Sequence, residues 1–402
     1  MDVTSGQRWT FAELQACADT EPVSTKPIRE AHGRDVDFLL TTLAAWRDEA
    51  VLCPCENEDT PFPTTLSPPP NACHVKRTSG STGTPRAVWF SEEQLAADAH
   101  QIVSTMGLRT DWPNLGIISL AHSYGFSNLV LPLLLHGIPL ALVKDPLPAS
   151  ISNALQAFDG VTLPAVPAMW RAWLGAGILT DKIQLAISAG APLSLSLEQA
   201  AYEQCSLKIH NFYGSTECGG IAYDRSSQPR TDPAFVGSAM NGVELAIVNQ
   251  RLQVTSPAVG IGYADAPLDP ALEDGHFLTT DNAQIKDQDA VYLQGRHGES
   301  INVAGRKVSP QIVEEALLKL PTVMHATVFG IPSKNTERVD EIVAVVRLDE
   351  NATLDTITDT LSLPSWQRPR HWWACEDLSP DARGKISRKH WRQRFLERSP
   401  GP

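Results

Sequence analysis

One stretch of this sequence decides its interpretation: Thr78-Ser79-Gly80-Ser81-Thr82-Gly83-Thr84-Pro85-Arg86. It follows a predicted strand over residues 74–77 and precedes a predicted helix over residues 92–106, which begins with a capping box of Ser91 and Gln94. Glycines allow backbone conformations that expose amide N–H groups, hydroxyls add donors, and Arg86 adds a fixed positive charge. The stretch therefore predicts a loop that binds a polyphosphate. A flexible Ser/Gly loop is the alternative.

Two better-known nucleotide patterns do not occur in the sequence. A Walker A loop requires Gly-x-x-x-x-Gly-Lys-Ser/Thr, and Gly384-Lys385 lacks the upstream glycine. The dinucleotide pattern Gly-x-Gly-x-x-Gly is missing as well. The loop therefore indicates a phosphate-binding protein of another class.

The pattern of apolar residues around this loop predicts an α/β fold with two domains. Short apolar runs at 115–120, 139–143, 184–187 and 207–210 alternate with helix-like segments, which is typical of a sheet covered by helices. Another helix is predicted over residues 37–51, and a proline-rich extended connector over residues 61–70. After about residue 290 the pattern changes. We predict a large α/β domain over residues 1–297 and a smaller α+β domain over residues 298–402.

Four strands and two helices are predicted after about residue 290. The strands lie at residues 291–294, 300–303, 323–329 and 341–347, and the helices at residues 310–320 and 386–396.

The composition excludes several classes of protein. The chain has 402 residues, 46 of them acidic and 33 basic, which gives a formal net charge of −13. An acidic surface repels nucleic acids and anionic membranes, so neither is expected as a partner. No basic segment followed by an apolar run begins the chain, and prolines and polar residues interrupt the most apolar stretch, residues 126–143. We therefore expect a cytoplasmic protein.

The seven cysteines are scattered and odd in number, which favours reduced thiols over a disulfide framework. Cys53, Cys55, Cys73 and His74 invite comparison with a zinc site. Their spacing matches no common zinc finger or ribbon. Small buried thiols are therefore the favoured interpretation.

Further motifs follow the loop in order, and together they resemble the adenylate-forming superfamily of acyl- and aryl-CoA ligases, peptide-synthetase adenylation domains and luciferases. They are Ala189-Gly190-Ala191-Pro192-Leu193, Asn211-Phe212-Tyr213-Gly214-Ser215-Thr216-Glu217, Thr280-Asp281, the Gly295-Arg296 motif that runs to Glu314, and Gly384-Lys385-Ile386. The resemblance covers residues 74 to 392, approximately. It implies a large α/β domain followed by a smaller mobile domain.

The resemblance also implies a reaction. A carboxylic acid would be activated by ATP with Mg²⁺ to an acyl-adenylate, with release of pyrophosphate, and then transferred to the thiol of CoA. Transfer to the phosphopantetheine of a carrier protein is an alternative, and so is a non-catalytic module that binds a nucleotide or an acyl-adenylate. The presence of Glu217, Asp281 and Lys385 together argues against such a module, because a protein that only binds has no need of the lysine.

Particular residues receive roles from the resemblance. The loop would hold the β- and γ-phosphates, Glu217 would hold Mg²⁺, and Thr216 would contact the α-phosphate. Lys385, from the smaller domain, would bridge the substrate carboxylate and the α-phosphate. The residues expected to bind the nucleotide are Thr78, Ser79, Gly80, Ser81, Thr82, Gly83, Arg86, Gly190, Ala191, Pro192, Asn211, Phe212, Tyr213, Gly214, Asp281 and Arg296.

Within that set, three residues receive specific contacts. Tyr213 would stack on the adenine, and Asp281, an acceptor-only group when ionised, would bind the ribose hydroxyls. Arg296 would add a ribose or phosphate contact.

The sequence departs from the family pattern in four places. Arg86 stands where the family usually has lysine, and its planar fork is not equivalent to a point charge. Thr280 replaces a glycine before Asp281. Gly298 stands where the family has an Asp or Lys hinge, and we expect the smaller domain to pivot there, so that Lys385 serves the first step and the Ala304-Gly305 loop the second. Only 77 residues precede the loop, which indicates a shortened N-terminal region.

The substrate is expected to lack an α-amino group. Relatives that activate amino acids place an aspartate near the segment that here reads His122-Ser123-Tyr124-Gly125-Phe126, whereas no acidic residue lies between Asp111 and Asp145. We therefore expect an aryl or acyl carboxylic acid as the substrate. His122 would face the acyl pocket or close the channel for the thiol. A helix-start histidine bonded to backbone is equally compatible with the sequence.

Overall fold

The fold is that of a computed structural model, which describes residues 1–56, 67–78, 86–266, 268–297, 299, 301–304, 306–333, 340–349, 352–380 and 386–398. The chain divides into two compact units. The first comprises Met1–Val248, Gln253–Thr279 and Ile285–Tyr292, and the second comprises Asn249–Leu252, Thr280–Gln284 and Leu293–Pro402. The predicted domain boundary between residues 297 and 298 stays a prediction, and residue 298 lies outside the described residues.

The described strands are β1 (Ile28–Ala31), β2 (Val51–Pro54), β3 (His74–Arg77), β4 (Ala87–Phe90), β5 (Asn114–Gly116), β6 (Leu140–Leu142), β7 (Val161–Ala165), β8 (Ile183–Ser188), β9 (Ile209–Ser215), β10 (Gly219–Tyr223), β11 (Phe235–Ala239), β12 (Glu244–Val248), β13 (Arg251–Thr255), β14 (Gly262–Tyr263), β15 (Leu272–Glu273), β16 (His276–Lys286), β17 (Ala290–Arg296), β18 (Ile301–Val303), β19 (Arg306–Val308), β20 (Val323–Pro332), β21 (Asp340–Leu348) and β22 (His371–Ala374).

The described helices are α1 (Phe11–Thr20), α2 (Val36–Arg47), α3 (Glu92–Met106), α4 (Ser123–Gly125), α5 (Leu131–His136), α6 (Pro148–Gln156), α7 (Pro167–Gly175), α8 (Leu195–Cys205), α9 (Pro310–Leu318), α10 (Leu354–Thr360) and α11 (Arg388–Arg398). A π-helical turn, Phe126–Val130, connects α4 to α5. None of the helices that the described residues form is long and apolar enough to cross a membrane.

A parallel sheet forms the centre of the first unit. Strands β6, β5, β7, β8 and β9 are neighbours in that order and run parallel. Every residue of β7 is buried, as expected for a strand that is covered on both faces. The sheet continues through the antiparallel strands β10, β11 and β17, and then through β16, β13 and β12. The parallel strand ends therefore meet at one edge, where the β8 and β9 motifs lie.

A second sheet of the first unit has the order β1-β2-β3-β4-β14. Strands β1, β2 and β3 are parallel, while β4 pairs antiparallel with both β3 and β14. One face of this sheet packs a small core of Val51, Cys53, Cys55, Val75 and Trp89. Because β4 directly follows the predicted phosphate loop and β14 pairs with it, this sheet positions Arg86 and Tyr263.

A three-stranded sheet, β20-β21-β22, organises the second unit. Alternate residues of the central strand β21 pack on opposite faces, as period-two side-chain alternation requires. Ile342, Ala344 and Val346 belong to a core with Val313 of α9 and Ile357 of α10. On the other face, the core comprises Phe329, Val343, Val345, Leu378, Trp391 and Phe395. The unit therefore has a buried core on each face of its sheet.

The predicted elements beside the phosphate loop are confirmed. Strand β3 and helix α3 have the predicted bounds, and the backbone N–H of Ser91 donates to Gln94 Oε1 at 2.9 Å. The predicted helix over residues 37–51 is too long, since α2 ends at Arg47. Glu49 then adopts φ 52°, and the chain turns directly into β2. Most of the predicted proline-rich connector lies outside the described residues.

Candidate active site

The turn between β9 and β10 presents Thr216 and Glu217, which the sequence assigns to catalysis and metal binding. Both strands pair antiparallel, with Ser215 opposite Gly219. The hydroxyl of Ser215 donates to Glu217 Oε2, and the backbone N–H of Glu217 donates to Ser215 Oγ at 3.3 Å. The Glu217 carbonyl accepts from Gly260 N at 2.9 Å. The turn therefore holds the Glu217 carboxylate in one position.

Tyr263 of strand β14 connects Glu217 to the end of the phosphate loop. Its hydroxyl donates to Glu217 Oε1 at 3.0 Å, and the guanidinium of Arg86 lies 3.3 Å from its ring centroid. Burial raises the pKa of the Tyr263 phenol, and the Glu217 carboxylate raises it further. Tyr263 therefore stays protonated at all ordinary pH values and acts as a hydrogen-bond donor.

Two acidic residues orient Arg86. Its Nε lies 3.2 Å from Asp265 Oδ1, and its Nη1 lies 2.9 Å from Asp269 Oδ2. At the other side of the loop, Thr78 N donates to the Arg86 carbonyl at 2.8 Å, and Arg86 N donates to Thr78 Oγ1 at 2.9 Å. The two ends of the predicted phosphate loop are thus joined. Residues 79–85, with Ser79, Gly80, Ser81, Thr82 and Gly83, lie outside the described residues.

A buried ion pair supports the β9–β10 turn from behind. Lys76 Nζ lies 3.0 Å from Asp98 Oδ2, and the Ser127 hydroxyl donates to the same oxygen at 2.5 Å. Asp98 Oδ1 faces the backbone of Gly219 and Gly220, with Gly220 N at 3.4 Å. The side chains of Lys76 and Asp98 are both 2% exposed. A buried charge of this kind requires its partner, so these residues form one structural unit.

The predicted adenine-binding residues lie at the carboxyl ends of β8 and β9. Gly190 follows β8 with φ 83°, which explains the requirement for glycine at this position. Ser188 pairs with Asn211 in the parallel ladder, which brings the segment of Gly190, Ala191 and Pro192 close to the start of the β9 motif. The structure therefore brings these two motifs together.

The β9 motif begins with two buried side chains and continues with more exposed residues. Asn211 is buried and donates through Nδ2 to the carbonyl of Val236 at 2.9 Å, so its amide group is used in the fold. Phe212 is buried, and its ring centroid lies 6.0 Å from that of Tyr124. Tyr213 is only partly buried. At Gly214 a Cβ would lie 2.7 Å from the carbonyl oxygen of Gly219, so only glycine fits.

His122 caps the short helix α4. Its Nδ1 accepts from the backbone N–H of Tyr124 at 3.2 Å, so the helix-start alternative of the sequence describes its position. The hydroxyl of Tyr124 lies 3.5 Å from the carbonyl of Ile187, and burial raises the pKa of that phenol. The segment around His122 thus presents a partly buried, uncharged aromatic side chain.

Asp281 and Arg296 belong to the second unit, where they face each other. Arg296 Nε lies 3.5 Å from Asp281 Oδ1, and both side chains are partly exposed. The backbone of His297 donates to the Thr280 carbonyl at 2.6 Å, which joins β16 to the end of β17. The predicted ribose contacts are therefore neighbours. Lys385, Gly298 and Gly305 lie outside the described residues, and Ala304 adopts φ 51°.

Sequence reasoning missed Tyr263, Asp265 and Asp269. Tyr263 is 46 residues from Glu217 along the chain, so no local pattern relates the two. The only sequence signal for these three residues is that they follow Gly260 and Gly262 within a few positions. Glycines near polar residues are common in loops, so this signal has little specificity.

The four residues weighed as a zinc site do not assemble. His74 pairs in register with Leu52, so its side chain lies on the face of the sheet opposite Cys53, where its ring stacks on Phe126. Cys53 and Cys55 are buried, as the thiol interpretation expects, and Cys73 is partly buried. Among the described residues, those two thiols instead lie together with Glu30.

The fold is shared with solved structures of adenylate-forming ligases. ATP-bound MatB from Rhodopseudomonas palustris superposes with a TM-score of 0.84 at 19% identity, covering 98% of this chain and 94% of that one. The o-succinylbenzoate CoA synthetase MenE from Bacillus subtilis, in complex with OSB-AMP, superposes with a TM-score of 0.81 at 17% identity, covering 96% and 93% of the two chains.

Sequence comparison identifies the family. The profile of the family described as AMP-binding enzyme matches residues 5–263. A 4-chlorobenzoate–CoA ligase of an Arthrobacter species is 25% identical over 352 residues, covering 81% of this chain and 66% of the relative. The uncharacterized acyl–CoA ligase YhfT of Bacillus subtilis (strain 168) is 26% identical over 343 residues, covering 82% and 70%. This chain therefore belongs to the AMP-binding enzyme family, and it spans about two thirds of the length of these relatives.

Proposed function

We propose that this protein is an AMP-forming acid–thiol ligase. It would join a carboxylic acid to ATP to form an acyl-adenylate and pyrophosphate, and then transfer the acyl group to the thiol of CoA. One observation carries the proposal: Glu217 is held by Ser215 and Tyr263, and Arg86 stacks on Tyr263 at the end of the phosphate loop. A carboxylate and a cation are thus joined through one tyrosine, where the family binds polyphosphate.

The donor set at Glu217 fits a magnesium ion. Mg²⁺ prefers oxygen ligands, and it is usually bound through one or two carboxylates together with substrate phosphates. When bound, the ion neutralises charge on the phosphates as pyrophosphate leaves. The hydroxyls of Ser215 and Tyr263 orient the Glu217 carboxylate, since both donate to it. Thr216, the neighbour of Glu217, would contact the α-phosphate. A solved structure of MenE contains ATP and a magnesium ion, which supports the proposal that these two ligands bind to this chain.

Phosphoryl-group chemistry of this kind asks the protein mainly for alignment and charge stabilisation. The carboxylate oxygen of the acid would attack the α-phosphorus, and the bond to the pyrophosphate oxygen would break. Arg86 would stabilise the charge on the leaving phosphates. Its two carboxylate partners hold it over the Tyr263 ring, so that the guanidinium is oriented before the nucleotide binds. Lys385 would bridge the reacting groups, a role that rests on the Gly384-Lys385 motif alone.

The resemblance to the family assigns the nucleoside to residues of several motifs. Tyr213, which is only partly buried, would stack on the adenine beside the Gly190-Ala191-Pro192 segment. Asp281 would accept hydrogen bonds from the ribose hydroxyls, and Arg296, 3.5 Å from it, would orient that carboxylate.

The acid is proposed to be an aryl or acyl carboxylic acid without an α-amino group. Burial keeps Tyr124 protonated, and no acidic residue occurs between Asp111 and Asp145 to pair with an ammonium. Relatives that act on 4-chlorobenzoate and on 4-hydroxybenzoate or benzoate are consistent with an aromatic substrate. His122, whose Nδ1 accepts the backbone N–H of Tyr124, would face the acyl pocket or close the channel for the thiol.

Carboxylate-dependent exchange of pyrophosphate into ATP tests the first step, with a panel of aryl, alkyl and amino acids. We expect exchange with an aryl or alkyl acid and none with amino acids. Glu217→Gln should lower the exchange rate by about 10²–10³-fold, a loss typical of a group that stabilises transition-state charge. Glu203→Gln, at an exposed glutamate of α8, is the matched control. No exchange with any acid would contradict the proposal in favour of a binding module.

Three further comparisons separate the roles. Tyr263→Phe removes the hydroxyl but keeps the ring under Arg86. The Mg²⁺ concentration needed for exchange should therefore rise by a larger factor than the KM for the acid. Lys385→Ala should abolish adenylation, whereas Lys389→Ala, at an exposed lysine of α11, should not. Thioester formation with CoA after successful exchange would establish the second step. Exchange without a CoA thioester would instead indicate a carrier protein as the acceptor.

A further inference from the structure

Two neighbouring parallel strands present four metal-binding side chains at the edge of the smaller sheet of the first unit. Glu30 lies on β1 and pairs in register with Cys53 of β2. The ladder continues beyond both strands, because Cys55 N donates to the Ala31 carbonyl at 2.8 Å. Side chains two residues apart share a face of a strand. His32 and Cys55 therefore extend the same face that Glu30 and Cys53 begin.

The distances suit tetrahedral coordination. The sulfur atoms of Cys53 and Cys55 are 3.9 Å apart. Two thiolates bound to zinc at about 2.3 Å and at the tetrahedral angle would be separated by about 3.8 Å. A carboxylate oxygen of Glu30 lies within 4.8 Å of both sulfurs, and His32 Nε2 is 3.7 Å from Glu30 Oε2. Three candidate ligands thus already lie within 4.8 Å of one another, and the His32 imidazole, outside that group of three, lies beside Glu30.

The burial of the four side chains suits a bound ion, because the sulfur ligands are buried and the other two reach solvent. Both thiols are buried, while the side chains of Glu30 and His32 are 31% and 33% exposed. The exposed pair provides a path from solvent to the sulfurs. His32 Nδ1 is itself buried, and among the described residues no hydrogen-bond partner reaches it. The imidazole is therefore not held by the fold through that nitrogen.

The charges would also balance. Two thiolates and one carboxylate carry three negative charges, of which a divalent cation neutralises two. The Arg77 guanidinium acts electrostatically on both cysteines and supplies the remaining positive charge. A buried site with no net charge avoids most of the cost of an isolated buried ion.

A disulfide fits this pair of cysteines less well. Cys53 and Cys55 are separated by a single residue, Pro54, at the end of an extended strand. Two steps along a strand span about 6.6 Å, which is at the long limit of the Cα separations that disulfides bridge. A shared metal ion requires no such approach of the two sulfurs.

We propose that Glu30, His32, Cys53 and Cys55 bind one Zn²⁺ ion, which joins β1 to β2 and stabilises the edge of this sheet. Zinc takes thiolate, imidazole and carboxylate ligands in tetrahedral sites of this kind, and a site with four protein ligands is structural. This site shares no residue with the proposed adenylation centre, and its test does not depend on activity.

The experiment measures metal content in the full chain. The protein, freed of any histidine tag, is loaded with Zn²⁺, passed through a desalting column, and analysed by elemental mass spectrometry. We expect one zinc per chain, and its loss in Cys53→Ser and in Cys55→Ser. Glu30→Gln should weaken the affinity by about tenfold or more. Cys17→Ser, at an exposed cysteine, is the control for adventitious binding and should keep the zinc.

A second measurement keeps the proposal testable if a cysteine variant fails to fold. Co²⁺ added to the wild-type protein should produce sulfur-to-cobalt charge-transfer absorption and the intense visible bands of a tetrahedral ion, and equimolar Zn²⁺ should remove both. His32→Ala should shift those visible bands. Wild-type protein that retains no zinc would overturn the proposal. So would an octahedral cobalt spectrum, or an intact mass lower by two hydrogen atoms, which would indicate a disulfide.

Discussion

Among single residues, His74 illustrates how burial sets the charge of a side chain. Its ring is fully buried on β3 and stacks on Phe126, with the centroids 4.2 Å apart. Among the described residues, neither ring nitrogen has a hydrogen-bond partner. Burial lowers the pKa of His74 well below its usual value, and the charge of Lys76 lowers it further. The native protein therefore holds this imidazole neutral.

The burial of His74 predicts that the native protein loses stability at acidic pH. The unfolded chain binds a proton on His74 below about pH 6.5, whereas the native state does not, so the free energy of unfolding should fall as the pH drops below that value. The contribution of one group is at most about 1.4 kcal/mol per pH unit. His74→Phe should reduce this slope and keep the stability at pH 8, because the ring can still stack and no hydrogen bond is lost. Urea titrations between pH 5 and pH 8 measure both quantities.

The control for this prediction is His390→Phe, at an exposed histidine of α11. It should leave the slope unchanged, since that side chain is solvated in both states. Partly buried His210, whose pKa burial also lowers, should keep part of the acid sensitivity in the His74 variant. An unchanged slope in His74→Phe would show that His74 is protonated in the native state.

At the scale of elements, the β9–β10 hairpin depends on a glycine. Gly219 has φ 70°, and a Cβ there would lie 2.1 Å from Asp98 Oδ1. Asp98 has little freedom to withdraw, because Lys76 and Ser127 bind its other oxygen. Backbone conformation and close approach therefore both require glycine at the turn that carries Glu217.

Gly219→Ala should therefore lower the free energy of unfolding more than a Gly→Ala substitution at a site where only the positive φ is unfavourable. Gly107 provides that reference, because it ends α3 at φ 68° with no atom within 4 Å of the added Cβ. We expect Gly107→Ala to lower the free energy of unfolding by about 1 kcal/mol. Gly219→Ala should lower it by about 1–3 kcal/mol more, because the added Cβ overlaps with Asp98. Equal losses in chemical denaturation would mean that the Asp98 side chain moves away at little cost.

At the scale of the whole molecule, each unit contains its own buried residues. Val161, on strand β7, is fully buried in the first unit, and Val345, on strand β21, is fully buried in the second. Each unit can therefore lose its packing separately, since stability is not uniform across a structure.

Matched truncations test this independence. Val345→Ala and Val161→Ala each shorten a buried side chain by two carbon atoms. Each substitution should lower the free energy of unfolding by about 2 kcal/mol. Hydrogen exchange followed by mass spectrometry should show faster opening of β20 and β21 in the first variant, and of β7 and β8 in the second. If both variants accelerate exchange equally in all four strands, the two units unfold as one.

The sequence determined much of this structure through local physical signals. The capping box at Ser91 and the apolar periodicity of α3 predicted that helix with its observed bounds, because caps and amphipathic spacing act within one or two turns. Strands β20 and β21 were predicted over residues 323–329 and 341–347, which is shorter than the observed Val323–Pro332 and Asp340–Leu348. The end of α2 was not predicted, since a positive φ at Glu49 follows from the packing of β2 rather than from helix propensity.

For the site, the order of motifs pointed to Thr216 and Glu217 and to the family, since motifs are read along the chain. Tertiary structure alone decided their partners. Tyr263 reaches Glu217 from 46 residues away, and Glu30 meets Cys53 only through the register of two parallel strands. Such contacts depend on which strands pair and which faces are buried. Spacing along the sequence predicts neither the strand pairing nor the buried faces, because side chains distant in the chain become neighbours only once the sheets have formed.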